Sequence, residues 1–240
     1  MDLTNIFLKS HRAKECYNGL AKNPKALPVS VDELKVAIEK FTGLEIRLYK
    51  VDYKEELTEL VTAQFDLDGS ESPEEMAVIN AYIEDFVKTK RFLGRLNKYK
   101  LSADIFVAKN DVTFCQQRLI ATKELAHLII DDADTESNNI IELISDIVYQ
   151  ADVAEINEQM QSESLAYHVA LDLLFPWEYR KDIKAEYDAK NIQSIDIAEK
   201  FKIPRKDVER CLSDQMFGAY EYLYNAVHEV LDAIKAMDAK

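Results

Sequence analysis

The 240-residue sequence predicts an α+β fold, with a small sheet of about three strands followed by a mainly helical C-terminal half. Three observations carry this. Five glycines and five prolines provide too few tight turns for a sandwich or barrel. Segments that alternate apolar and polar residues lie in the first half of the chain only. Beyond them, apolar residues recur at helical spacing, punctuated by Pro176 and Pro204.

Residues 3–22 read as a helix with a modest apolar stripe, ended by Asn23-Pro24, since a residue before proline is pushed out of the helical region. Residues 31–42 place Leu34, Ala37, Ile38 and Phe41 on one helical face, and Gly43 stands where a left-handed cap belongs. Residues 44–53 alternate through Leu44, Ile46 and Leu48, which is a strand. Ser72-Pro73-Glu74-Glu75 is a capping box with proline at the first helical position, predicting a helix over 73–89. Residues 92–99 and 103–107 read as two further strands joined by a short polar turn. Helices are then predicted over 116–130, 136–150, 162–174, 178–189, 195–201, 205–214 and 219–236. No repeat or Gly/Ser linker interrupts them. The simplest partition is an N-terminal helical segment (1–27), a central domain (28–190) and a helical C-terminal extension (191–240).

Charge narrows the function classes. A net charge of −14 argues against nucleic acid or an anionic membrane as the main partner. No stretch reaches the ~18 apolar residues of a membrane span. Cys16, Cys115 and Cys211 lie far apart and form no CxxC pair, which argues for a reducing, cytoplasmic setting rather than a disulfide framework or zinc finger. The acids are unevenly spread: from Glu124 to Tyr179 there is no lysine or arginine at all. A solvated acidic face is the ordinary meaning of such a run, and a cation site or a surface for a basic partner is the functional one.

The segment that carries chemistry is Arg118–Asp131, RLIATKELAHLIID. Positions i and i+4 share a helical face, so Lys123 and His127 project together with Glu124 one step round. Zinc peptidases use this spacing as H-E-x-x-H, two imidazoles holding the ion while the glutamate polarises its water. Here the first histidine is a lysine, K-E-L-A-H. Further on comes Glu163 in ESLAYHVALDLLFP, with Ala166 and Ala170 suited to a closely packed neighbouring helix and the carboxylate suited to a third ligand.

In these stretches the chain resembles the ImmA/IrrE metallopeptidases, whose signature reads roughly R-F-T-x-A-H-E-L-G-H-L-L and then E-x-x-A-N-x-F-A-x-x-L-L-M-P. Residues 28–51 are similar to that family's helix-then-strand entry, and residues 101–110 to the strand before its active-site helix. IDIAEKFKIPRKDVERCL is similar to the helix-turn-helix-like segment that follows in many members. The resemblance implies a zincin-like fold and a zinc endopeptidase that cleaves a helix-turn-helix repressor, often on a mobile element. It assigns Glu124 as the general base, and His127 and Glu163 as metal ligands. Lys123 takes the place of the first ligand, Tyr167 that of the usual asparagine, and Ala126 that of a frequent glycine.

The lysine changes the chemistry expected. An ammonium has three donors and no lone pair, so it cannot ligate a metal. Two adjacent carboxylates hold it protonated. Lys123 is therefore expected at the vacated metal position, neutralising Glu124 and Glu163 without supplying an activated water. The expected protein is an impaired or inactive peptidase-like domain with no cofactor, acting as a regulatory scaffold for a protein partner such as a helix-turn-helix repressor. Two other readings stand beside it. One is an active metalloendopeptidase that binds zinc through a substitute ligand, for which His168, His11, His228, Cys115 and Asp131 are the candidates. His168 is about 140° from Glu163 round a helix, off its face, and Asp131 lies one turn beyond His127. The other is a transcription-associated adaptor that works through its helix-turn-helix, although Asp207 and Glu209 sit among Arg205, Lys206 and Arg210 in its second helix. Tyr187, Tyr220, Tyr222 and Tyr224 read as half-buried helix packing.

Overall fold

A computed structural model describes residues 3–52, 77, 94–110, 112–130 and 158–238. Among these are eight helices and a three-stranded mixed sheet, the α+β layout expected. Helix α1 is Leu3–Leu20 and α2 is Val31–Thr42. Ser30 caps α2 by accepting from the Glu33 amide, and Gly43 ends it at φ 75°. That left-handed conformation costs glycine least, as the sequence anticipates. The strands are β1 (Glu45–Val51), β2 (Gly94–Lys98) and β3 (Ser102–Ala108).

Strand β3 lies in the middle, parallel to β1 (Glu45 opposite Ser102, Val51 opposite Ala108) and antiparallel to β2 (Gly94 opposite Val107, Lys98 opposite Ala103). Its alternation sends Ala103, Ile105 and Val107 into the core, the period-2 pattern of a strand with one apolar face. On the other face Tyr49 stacks on Phe106 at 5.2 Å and Arg95 lies 4.5 Å over the Phe106 ring. Glu39 of α2 anchors β1 by accepting from the Ile46 amide at 2.8 Å, while Lys35 donates to the Ile46 carbonyl at 2.8 Å.

The remaining helices are α3 (Phe114–Ile130), α4 (Glu158–Leu174), α5 (Trp177–Asp188), α6 (Ser194–Phe201), α7 (Arg205–Cys211) and α8 (Asp214–Asp238). Helix α3 packs on the sheet and against α2, and α4 packs closely along α3. Ala126, Ala166 and Ala170 are all fully buried, small residues at a tight helix contact. The C-terminal helices join the same core: Phe201 of α6 stands 4.5 Å from Phe175, and Arg118 of α3 donates to the carbonyls of Lys202 and Val29.

Several boundaries differ from expectation for local reasons. Helix α3 starts two residues early because Thr113 and Gln116 form a reciprocal capping box, Oγ1 accepting from the Gln116 amide and Oε1 from the Thr113 amide. The helix expected over 205–214 stops at Cys211, and Ser213 starts α8 by accepting from the Met216 amide. Tyr220 and Tyr224 are buried and Tyr187 half-buried, but Tyr222 is 76% exposed, a correction to the packing expected of it. The helices expected over 73–89, apart from Ala77, which is helical, and over 136–150, and Asp131, lie outside the described residues. No helix among the described residues is long and apolar enough to cross a membrane.

Candidate functional site

The site forms where α3 meets α4. Helix α3 is buried on almost every side, so Glu124 (4% exposed) and His127 (7%) sit deep, while Lys123 at the same end keeps a partly open face. Burying a carboxylate at that depth is costly unless a cation or donor faces it. Lys123 is that cation. Its Nζ lies 3.3 Å from Glu124 Oε1 and 2.5 Å from Glu163 Oε2, bridging the two helices.

The other oxygen of Glu163, Oε1, lies 3.0 Å from His127 Nε2, and the opposite ring nitrogen, Nδ1, lies 3.4 Å from Ser162 Oγ. The structure thus brings together Lys123, Glu124, His127 and Glu163, and adds Ser162. Electrostatics follow the contacts. Burial works to lift the Glu163 carboxyl, but the His127 contact and the Lys123 ammonium outweigh it and hold the group down at about 2. Burial pulls Lys123 the other way, yet Glu124 and Glu163 overcome it and raise its pKa well above the ordinary lysine value. The ammonium stays charged.

Strand β2 closes one side. A Cβ at Gly94 would fall 2.7 Å from Glu124 Oε1 and 2.5 Å from Ile120 Cγ2, so the bare backbone of β2 rests directly on the helix at this point. Two contributors, Gly94 and Ser162, escaped the sequence reading. Ser162 had a signal in its position beside Glu163. Gly94 had none, because a single glycine beside a strand carries no partner information.

The resemblance implies zinc here, and zinc requires lone pairs converging on one point. One oxygen of Glu163 is held by an ammonium, and the other lies 3.0 Å from His127 Nε2. An ammonium offers no lone pair. Among the described residues no group of three or more His, Cys, Asp or Glu side chains is placed to hold a metal ion. Lys123 therefore adds no ligand to His127 and Glu163, two side chains where a catalytic zinc takes three.

The other histidines point elsewhere. His168 Nδ1 is 3.1 Å from the Tyr220 hydroxyl of α8, off the Glu163 face. His11 and His228 face each other across α1 and α8 with ring centroids 6.3 Å apart. Cys115 sits in the first turn of α3, and the cysteines are unpaired. Tyr167, one turn past Glu163, donates its hydroxyl to Asp207 of α7, while Arg210 stacks over the Tyr167 ring at 5.4 Å. The helix-turn-helix-like pair is thereby docked on α4. Comparison with known protein families, curated proteins and solved structures returned no match for this chain.

Proposed function

We propose that the chain is a divergent ImmA/IrrE-like, zincin-type peptidase domain in which Lys123 has taken over the charge of the metal, and that it acts as a regulatory scaffold for a protein partner. One observation carries the reading: the Lys123 ammonium sits 2.5 Å from Glu163 and 3.3 Å from Glu124, between the two carboxylates that the resemblance assigns to ligand and base. A cation there balances the buried acids but cannot act as a Lewis acid or lower the pKa of a water. Glu124, 4% exposed and ion-paired, has no activated water to deprotonate. What remains of a peptidase on this reading is its fold. A helix-turn-helix repressor is the partner that the resemblance favours, and the domain would bind it without cutting.

Metal analysis tests this. The natural chain, purified without a tag and dialysed against zinc, is expected to retain none, while Lys123→His is expected to hold about one zinc per chain. Stoichiometric zinc in the natural chain would sink the ion-paired reading and make a protease assay the next step. Zinc in neither protein would undo the assignment of Lys123, His127 and Glu163 to a former metal site.

A further inference from the structure

We infer that helix α8 is an acid-released latch: it stays docked on α1, α4 and α5 while His11 and His168 are neutral, and it lifts away when they take up protons, with α3 and the sheet still folded. The latch neither uses nor needs the α3–α4 cluster, so it goes beyond the function proposed above.

Of the 25 residues of α8 only Tyr220, Tyr224 and Val227 are buried, so few contacts hold the helix down. Tyr220 covers a group of cations. Its hydroxyl lies 3.1 Å from His168 Nδ1 of α4 and donates to the His168 carbonyl at 3.2 Å, while Arg180 of α5 lies 4.2 Å over its ring. Arg210 of α7 approaches from the Tyr167 side, and the Tyr167 and His168 rings are 5.5 Å apart. The carboxylates of this group are taken: Asp207 accepts from Tyr167, and Asp172 accepts from Tyr224 and pairs with Lys14. An imidazolium at His168 is thus a third cation beside two guanidiniums, beneath a ring that keeps water away.

A second histidine meets α8 further along. The His11 and His228 rings lie 6.3 Å apart across α1 and α8, and His11 Nδ1 is buried with no hydrogen bond among the described residues. A proton there adds a buried donor without an acceptor. Glu15, one turn on in α1 and 3.7 Å from Nε2, favours the charge, as does Glu178 of α5, whereas Lys14 of α1 and His228 of α8 oppose it. Burial outweighs the acids and lowers His11; burial, with Arg210 and Arg180, pushes His168 down to about 4.

Once α8 lifts, water reaches both rings and they return towards the ordinary value of 6.5. The undocked state therefore binds the protons more tightly, and docking is lost as pH falls from 6.5 towards 4. Lifting the helix also uncovers Trp177, against which Phe217 and Tyr224 of α8 pack at 4.7 and 5.6 Å.

Hydrogen exchange read by mass spectrometry tests the latch on the full-length chain at pH 7.5 and pH 5, either side of the ordinary histidine value and corrected for the intrinsic pH dependence of exchange. The amides of α8 are expected to lose about tenfold in protection at the lower pH while α3 and β3 keep theirs. Emission from Trp177, the one tryptophan of the chain, should move to longer wavelength over the same range. Both changes should vanish in the double variant His11→Gln, His168→Gln. Unchanged protection of α8, an unmoved emission maximum, protection lost equally from α8 and α3, or a double variant as pH-dependent as the natural chain would each overturn the proposal. If the double variant does not fold by circular dichroism at pH 7.5, the two single variants take its place, with a smaller response expected in at least one and an unchanged response in both overturning the proposal.

Discussion

At the scale of single residues, Lys123 makes the site soluble in its own fold. Remove its charge and Glu124 is left nearly fully buried, with Glu163 and its His127 contact beside it. Breaking a fully buried pair costs about 3–5 kcal/mol, and because Lys123 and Glu163 keep some solvent contact (26% and 30% exposed), Lys123→Met is expected to cost about 2 kcal/mol. The same contacts fix the sign of an acid transition. Glu163 is lowered from 4.5 to about 2 on folding, so its contribution is complete above pH 4.5 and is lost as pH falls towards 2. Unfolding free energies from urea titrations should decline across that window in the natural chain and decline less in Lys123→Met. Equal slopes in the two proteins would mean that Lys123 does not hold Glu163 down.

At the scale of elements, α4 is the helix through which the site meets the rest of the molecule. Ser162 and Glu163 face α3, Tyr167 faces α7, His168 faces α8, and Asp172 ends the series fully buried. Asp172 accepts from Tyr224 at 2.5 Å and pairs with Lys14 of α1 at 2.8 Å, and Arg180 of α5, also fully buried, lies 3.9 Å away. One carboxylate thus offsets two cations from two helices. Asp172→Asn keeps the shape and deletes the charge that faces Lys14 and the buried Arg180. Denaturant unfolding should show a loss of about 3–5 kcal/mol, and a loss under ~1 kcal/mol would mean that the network carries no stability. Most of the elements could be read from sequence because period and caps are local: the Leu34–Ala37–Ile38 stripe, Gly43, and the prolines before α5 and α7. The misplaced ends also have local causes, since Thr113…Gln116 and Ser213 are caps that show only once their partner amides are known. The network round Asp172 could not be read, because its members come from α1, α4, α5 and α8 and share no spacing.

At the scale of the whole molecule, the acid-rich, lysine-free run that begins at Glu124 had two meanings in sequence, a solvated face or a cation site. Among the described residues of the run, both meanings are seen. Glu124 and Asp172 are buried and paired, whereas Glu178 is exposed. The candidate site was legible as far as spacing could carry it, because i, i+4 on one helix and a glutamate on the next converge whenever those helices pack. Gly94 enters only through the packing itself. Charge also decides what the helix-turn-helix-like pair can do. In α7, Arg205 is tied to Glu209 at 2.7 Å, Asp207 is held by the Tyr167 hydroxyl, and Arg210 lies over the Tyr167 ring. That leaves Lys206 as the one basic side chain of α7 without such a tie, on a chain of net charge −14. A protein that neutralises several phosphates binds non-specifically at ~10⁻⁴–10⁻⁶ M and loses affinity steeply as salt rises. This chain has no comparable basic stripe along α7. Fluorescence anisotropy with duplex DNA should therefore show no saturable binding below ~10⁻⁴ M at physiological salt, and little gain when the salt is lowered. Tight binding with a steep salt slope would overturn that expectation and favour a function at the C-terminal helices over the one proposed for the α3–α4 cluster.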